Sequence, residues 1–200
     1  MKKIKFIYFD IGGVMNDWSD YFKHAAKQHG ITVEDINSVW DELDEDITLG
    51  KKGAQDYWKR VVKKFNLESD PDFDFLESWI SDYRPRKEIH QLAEELAIKY
   101  KIGLLSNLYN GMYSRLLELG IVADLDYSEV ILSNEIGLRK PDKEIYEFAT
   151  KKSGVKSEEI LLIDDRKDFL KGAKKYGWQT FWLDDKNVEK SVQKLRELLL

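Results

Sequence analysis

Apolar residues fall along this chain in two rhythms. Short runs at residues 4–9, 102–105, 160–163 and 180–183, with a fifth at 130–132, each end in a polar residue: Asp10, Ser106, Asp164, Asp184 and Ser133. The runs are near-continuous instead of alternating, so they read as strands buried on both faces of a parallel sheet. The stretches between them carry apolar residues at helical spacing, and this alternation predicts a doubly wound α/β domain. Pro85 is placed at the first position of the helix carrying Ile89, Leu92 and Leu96. Asn110 is the expected cap of the next helix and Gly120 its left-handed stop. Pro141 opens a segment with Ile145 and Phe148, Gly177 follows one presenting Phe169, Leu170, Ala173 and Tyr176, and Val188, Val192, Leu195 and Leu199 mark the last helix.

Residues 17–83 carry no strand signal. Four helical stripes occupy them: Trp18/Tyr21/Phe22/Ala25, Ile36/Val39/Trp40/Leu43, Tyr57/Trp58/Val61/Phe65 and Phe73/Leu76/Trp79/Ile80. Thr32 with Asp35 forms a capping-box pattern, and Gly30, Gly50 and Gly53 mark turns. The segment reads as a helical insert after the first strand. Four of the six tryptophans lie in it, either as the insert's own core or, for one or two of them, as the lining of a ligand pocket. The acidic run at residues 41–46 reads as a solvated helix face.

Composition narrows the class. A chain of 200 residues, 42% of them hydrophobic, buries roughly 70% of its unfolded surface and folds without disulfides or a structural metal. The absence of cysteine excludes thiolate catalysis and Cys-ligated zinc, and suits a reducing compartment. A formal net charge of −5 argues against a sequence-independent nucleic-acid binder. The longest apolar runs, residues 6–9 and 160–163, fall far below the roughly 18 residues of a membrane span. Met1-Lys2-Lys3 resembles a secretory n-region, but Lys5 and Asp10 interrupt the apolar segment behind it and no small-residue cleavage site appears. The expectation is a cytoplasmic protein with neither nucleic-acid nor membrane partner.

Ligands of an open parallel sheet bind beyond the carboxyl ends of its strands, so the residues ending the runs are the candidates. Asp10 leads into Ile11-Gly12-Gly13, where bare backbone N–H groups approach an anion such as phosphate, or where the aspartate merely caps a turn. Asp164 and Asp165 are adjacent carboxylates that repel one another; a cation relieves that, unless one simply caps the next helix. With Asp10 they would form an all-oxygen site suited to Mg²⁺. Lys140 precedes Pro141 at a helix start, a perch for an ammonium reaching an anion or for an ordinary surface lysine. Ser106 and Asn107 offer a hydroxyl and an amide to phosphate oxygens, or begin a turn.

Taken in order, F-D-I-G-G-V, L-L-S-N, G-L-R-K-P-D and L-I-D-D resemble the four motifs of the haloacid dehalogenase-like (HAD) superfamily, each loose alone and specific together. The resemblance covers the whole chain. The insert resembles the C1-type cap of that superfamily, and the first motif, with S-N and R-K-P, is most similar to the branch containing sugar-1-phosphate phosphatases. This implies a HAD-like Rossmannoid core of residues 1–16 and 84–200 and a helical cap of residues 17–83. It implies Mg²⁺-dependent hydrolysis of a small phosphomonoester, a sugar phosphate among the candidates, through an aspartyl-phosphate on Asp10. Mg²⁺ would be held by Asp10, Asp165 and the carbonyl of Gly12, with Asp164 supporting it directly or through water. Ser106, Asn107, Lys140 and the Gly12-Gly13 backbone would bind the transferring group.

Two positions depart from the pattern. The acid/base Asp usual two places after the nucleophile is Gly12, which points to slow turnover or to good leaving groups, an anomeric phosphate being one. Asp17 or a cap residue is the expected substitute. The Asn or Asp usual four places after the metal-binding Asp is Phe169, with Asp168 the candidate to compensate. Two other readings compete: a 2-haloacid dehalogenase, which needs neither the second Asp nor Mg²⁺, and a non-catalytic HAD-like binding or regulatory protein. A receiver domain is excluded because there the acidic pair precedes the phosphoacceptor.

Overall fold

The computed structural model describes residues 3–18, 21–68 and 70–200; Met1 and Lys2 of the basic start lie outside them. In chain order the strands are β1 (Phe6–Phe9), β2 (Asn16–Asp17), β3 (Arg84–Pro85), β4 (Lys101–Ser106), β5 (Glu129–Leu132), β6 (Ile160–Asp164) and β7 (Gln179–Trp182). Five of them form one parallel sheet in the order β5-β4-β1-β6-β7, so β1 is central and the predicted strands are all present. The helices are α1 (Tyr21–His29), α2 (Val33–Thr48), α3 (Ala54–Phe65), α4 (Phe75–Ser81), α5 (Lys87–Ala97), α6 (Met112–Glu118), α7 (Ser133–Ile136), α8 (Lys143–Ser153), α9 (Lys167–Lys175) and α10 (Val188–Leu199).

The pleat of β1 explains why its run is continuous. Ile7 and Phe9 face a cluster that includes Leu92 and Leu96 of α5 and Val192 and Leu195 of α10, whereas Phe6 and Tyr8 face Ile145, Ala149, Leu170 and Ala173 of α8 and α9. Both faces are covered, so alternation has no advantage. The register sets Phe9 beside Leu104 and Ile163, which brings the next residues, Asp10 and Asp164, level at one edge of the sheet.

Helices α1 to α4 follow β1 and form the insert. The Thr32–Asp35 capping box is present, with Asp35 N–H donating to Thr32 Oγ1 at 3.1 Å and Thr32 N–H to Asp35 Oδ2 at 2.9 Å. Inside the insert Trp58 stacks on Phe75 at 5.5 Å, and Tyr57 packs against Trp40 and Phe75, each at 5.1 Å. Toward the sheet, Trp40 and Trp79 meet Tyr109 at 5.3 and 5.0 Å. Polar contacts pin the same interface: Ser133 Oγ donates to the Thr48 carbonyl at 2.6 Å, and Arg139 pairs with Asp44 at 2.6 Å.

Local expectations differ at four places. Pro85 does not begin a helix; it pairs with Asn16, and Arg84 with Asp17, in an antiparallel β2–β3 neck where the chain leaves for the insert and returns. Arg86 secures this neck by donating to the Gly13 carbonyl. Gly111, in the left-handed region, precedes α6 in place of Asn110, whose amide instead donates to the Gly50 carbonyl at 3.2 Å. Pro141 lies outside α8, which Asp142 precedes, and the Lys140–Pro141 peptide is cis. In the acidic run Asp44 turns inward to Arg139, while Asp41 and Glu45 keep the solvated position expected.

Candidate active site

The polar residues ending β1, β4 and β6 converge. Asp10 Oδ1 accepts three hydrogens, from Ile11 N–H at 2.8 Å, Ser106 Oγ at 2.6 Å and Lys140 Nζ at 3.1 Å. These bonds orient the carboxylate and leave Oδ2 as its unbonded oxygen among the described residues. Lys140 is fully buried, not a surface lysine, and also donates to Asp164 Oδ2 at 2.6 Å. Asp164 Oδ1 accepts from Arg166 N–H at 2.8 Å, so both its oxygens are engaged.

Asn107 works differently from the expectation. Its amide nitrogen donates to the Lys140 carbonyl at 2.8 Å and its oxygen accepts from Lys140 N–H at 2.8 Å, a two-point clamp on the backbone that carries the ammonium. One amide hydrogen is left for any other partner.

Burial and like charge dominate the electrostatics. Burial drags Lys140 down, but Asp10 and Asp164 outweigh it and hold the ammonium above its ordinary value. Burial pushes the Asp164 carboxyl up, with Asp10 adding to the rise and Lys140 opposing it. Asp165 is pushed up to about 6, first by burial and then by the charge of Asp10. Three carboxylates against one ammonium make a site short of positive charge, which a bound cation would offset. Asp10, Asp164 and Asp165 each offer an oxygen, all within 4.8 Å of one another, and an all-oxygen set suits a hard divalent ion. Gly13 is part of this fit: with φ of 77°, it places its Cα where an added Cβ would collide with the Asp165 carboxylate.

Of the substitutes expected for the two departures, Asp17 and Asp168 stand outside the carboxylate cluster, while Asp44 of the insert lines the cavity above it. Asp168 pairs with Arg166 at 2.7 Å and is half exposed, while Phe169 lies with its ring centre 4.9 Å from Lys140 Nζ and 4.1 Å from Arg166 Cζ. The ring therefore offers the two cations a π-face where a polar side chain was expected. Asp17 lies 3.9 Å from Arg86 and is not among the residues lining the cavity above Asp10.

That cavity, of about 200 Å³, lies between the sheet edge and the insert. Its floor includes Asp10, Gly12 and Asp165, and its walls include Trp18, Phe22, Trp40, Trp79, Tyr83 and Tyr109, with the Arg139–Asp44 pair at one side. The insert's aromatics thus serve both expected roles: Trp58 is internal core, and Trp18, Trp40 and Trp79 face the cavity. Nothing in the sequence marks Asp44 or Arg139 as a cavity residue, although Arg139 stands next to Lys140 in the third motif.

The family model for haloacid dehalogenase-like hydrolases matches residues 4–177, and the chain belongs to that family. It is 24% identical to a glyceraldehyde 3-phosphate phosphatase of Methanocaldococcus jannaschii, over 98% of this chain and 96% of the relative. It is 25% identical to (S)-2-haloacid dehalogenase 1 of a Pseudomonas species, over 90% of this chain and 84% of the relative. A HAD-family enzyme of Bacteroides thetaiotaomicron, solved in complex with magnesium and inorganic phosphate, shares its fold, with a TM-score of 0.72, 20% identity, and coverage of 91% of this chain and 95% of that one. The protein is therefore a hydrolase of this family. Among the described residues no helix is long and apolar enough to cross a membrane.

Proposed function

We propose that the protein is a Mg²⁺-dependent phosphatase acting on a small phosphomonoester, with residues 1–16 and 84–200 as its catalytic core and residues 17–83 as its cap. The observation that carries this reading is the orientation of Asp10: three donors, Lys140 among them, fix Oδ1 and leave Oδ2 unbonded among the described residues, and Asp10 lines the floor of the cavity. In this role Oδ2 attacks phosphorus and the carboxylate becomes an aspartyl-phosphate. Lys140 places its charge against the incoming phosphoryl oxygens while remaining bound to Asp164, and the Asn107 clamp keeps it there. Ser106 keeps the carboxylate aligned and is within reach of the same oxygens. Asp10, Asp165 and the Gly12 carbonyl would hold Mg²⁺, with Asp164 in support. Bound there, Mg²⁺ offsets the carboxylate charge and polarises the phosphoryl group.

The fit of the group is supported by the carboxylate geometry and by the elevated Asp165 carboxyl. The cavity lies below the roughly 300–1,000 Å³ range of drug-sized ligand pockets, which favours a small substrate. The test is phosphate release from a panel of sugar phosphates, nucleotides and a generic aryl phosphate, with Mg²⁺ and after chelation. Asp10→Asn is expected to abolish turnover while leaving the circular-dichroism spectrum and melting temperature near wild type. Turnover retained by Asp10→Asn would remove the nucleophile assignment. Full activity after chelation, with halide release from a 2-haloacid, would replace the phosphatase by the dehalogenase that the Pseudomonas relative is named for.

A further inference from the structure

The cavity walls carry many rings and few uncommitted polar groups. Asp44 is bound to Arg139 at 2.6 Å, and Arg166 to Asp168 at 2.7 Å. Thr48 Oγ1 donates to the Asp44 carbonyl at 2.6 Å, and Asn107 holds the Lys140 backbone at two points, with one amide hydrogen left over. Tyr83 and Tyr109 are phenols whose pKa burial pushes up, which makes them weak general acids at neutral pH. None of the residues lining the cavity is a histidine. The carboxylates that line it are assigned elsewhere, Asp10 as nucleophile, Asp165 toward the metal and Asp44 to Arg139, so a departing alkoxide finds no free carboxyl or imidazole placed to give it a proton, and a water attacking a phosphoenzyme finds none placed to take one.

What the walls do offer is indole N–H. Trp79 Nε1 is buried without a partner, in a residue that lines the cavity. Trp18 Nε1 lies 3.6 Å from the point a Cβ on Gly12 would occupy, two residues from the nucleophile. Indole N–H groups only donate, and match an oxygen that carries negative charge without needing a proton.

We propose that the substrate is a phosphate ester of an acidic hydroxyl, an aryl phosphate in class, whose leaving oxygen departs as an anion hydrogen-bonded by Trp18 Nε1–H; this rests on the phosphatase reading above. Asp10 Oδ2 forms its bond to phosphorus as the bond to the aryl oxygen breaks. The electron pair leaves with the phenolate, which takes a proton from solvent after release. Water then attacks phosphorus, the bond from Asp10 to phosphorus breaks, the water proton passes to solvent, and inorganic phosphate leaves. With no base beside it the second step is the slower one, and the phosphoenzyme accumulates.

The test is a leaving-group series with Mg²⁺: p-nitrophenyl phosphate, phenyl phosphate and glycerol phosphate. From first to last, kcat/KM is expected to fall by at least about 100-fold, the scale of a missing general acid, and p-nitrophenyl phosphate gives a burst of nitrophenolate matching the enzyme concentration. Trp18→Phe keeps the ring and removes the donor. It is expected to lower kcat/KM about tenfold on phenyl phosphate, close to one charge-assisted hydrogen bond, and much less on p-nitrophenyl phosphate, whose leaving group needs the donor less. Gly12→Asp adds a carboxyl on a Cβ that meets Trp18 Nε1 at an ordinary 3.6 Å, and is expected to raise glycerol phosphate turnover at least about tenfold. Equal kcat/KM on the aryl and alkyl esters, or one uniform loss across the series in Trp18→Phe, would overturn the proposal. Absence of both turnover and phosphoenzyme with every ester would instead overturn the phosphatase reading itself, so the two failures are separable.

Discussion

The floor of the cavity is buried charge held by hydrogen bonds, and its roof is a layer of aromatic rings held by packing. Each floor group depends on a particular partner: Lys140 on Asp10 and Asp164, Asp10 on Ser106, and the Lys140 backbone on Asn107. Removal of one partner strands another charge out of water. The roof spreads its energy over many ring contacts, none of which fixes a charge. The first region should fail in chemistry and stability together when altered and the second in stability alone, and variants in each can break that distinction.

The largest effect is expected from Lys140→Met, which leaves Asp10 and Asp164 buried without their counter-ion. Loss of one partner of a buried pair costs about 3–5 kcal/mol, so both turnover and several kcal/mol of denaturant stability should disappear; a stable, active variant would refute the description of the floor. Trp58→Ala, in the roof but away from the cavity, is expected to cost about 3–5 kcal/mol of stability with kcat per folded molecule unchanged. Gly13→Ala combines a left-handed φ with a collision against the Asp165 carboxylate. Titration of activity with Mg²⁺ should show about tenfold weaker metal dependence, equivalent to ~1.4 kcal/mol. Thr32→Ala removes the α2 cap and is expected to cost about 1 kcal/mol, read by urea unfolding, with no change in kcat.

The smallest effect concerns pH. Burial against Trp58, whose ring centre is 4.8 Å away, holds His29 below its ordinary value. The folded protein then binds fewer protons than the unfolded chain between that lowered pKa and about 6.5. Stability is therefore full above this window and declines as pH falls through it. His29→Gln should be less sensitive than wild type between pH 7.5 and 5.5 in thermal unfolding, and an identical pH slope in the two proteins would contradict this.

The same contrast governs what the sequence reveals. The floor is legible because a strand buried on both faces ends abruptly, so Asp10, Ser106 and Asp164 announce the sheet edge that carries them. Lys140 is harder: the sequence places it near an anion, but only the sheet shows that it is completely buried. The roof is legible as helices and not as a wall, because helical spacing gives a face without saying what it looks at. Trp58 and Trp79 share the same type of pattern, yet one is internal and the other lines the cavity. Asp44 hides in an acidic run for the same reason, since its partner Arg139 is 95 residues away. Phe169 is misread because a motif position is expected to be polar, whereas its surroundings are two cations that accept a ring face.

The β2–β3 neck has a consequence for how such a molecule changes over generations. Residues 16 and 17 lie beside residues 85 and 84, so the chain leaves the sheet domain and re-enters it through neighbouring positions. The distance between the two ends is fixed by the neck, whatever lies between them, and lengthening a closed segment costs little, about 0.6 kcal/mol for each doubling. Helices can be added, deleted or exchanged above the neck without displacing β1 or β4, so the insert is free to diversify while the sheet beneath it stays still.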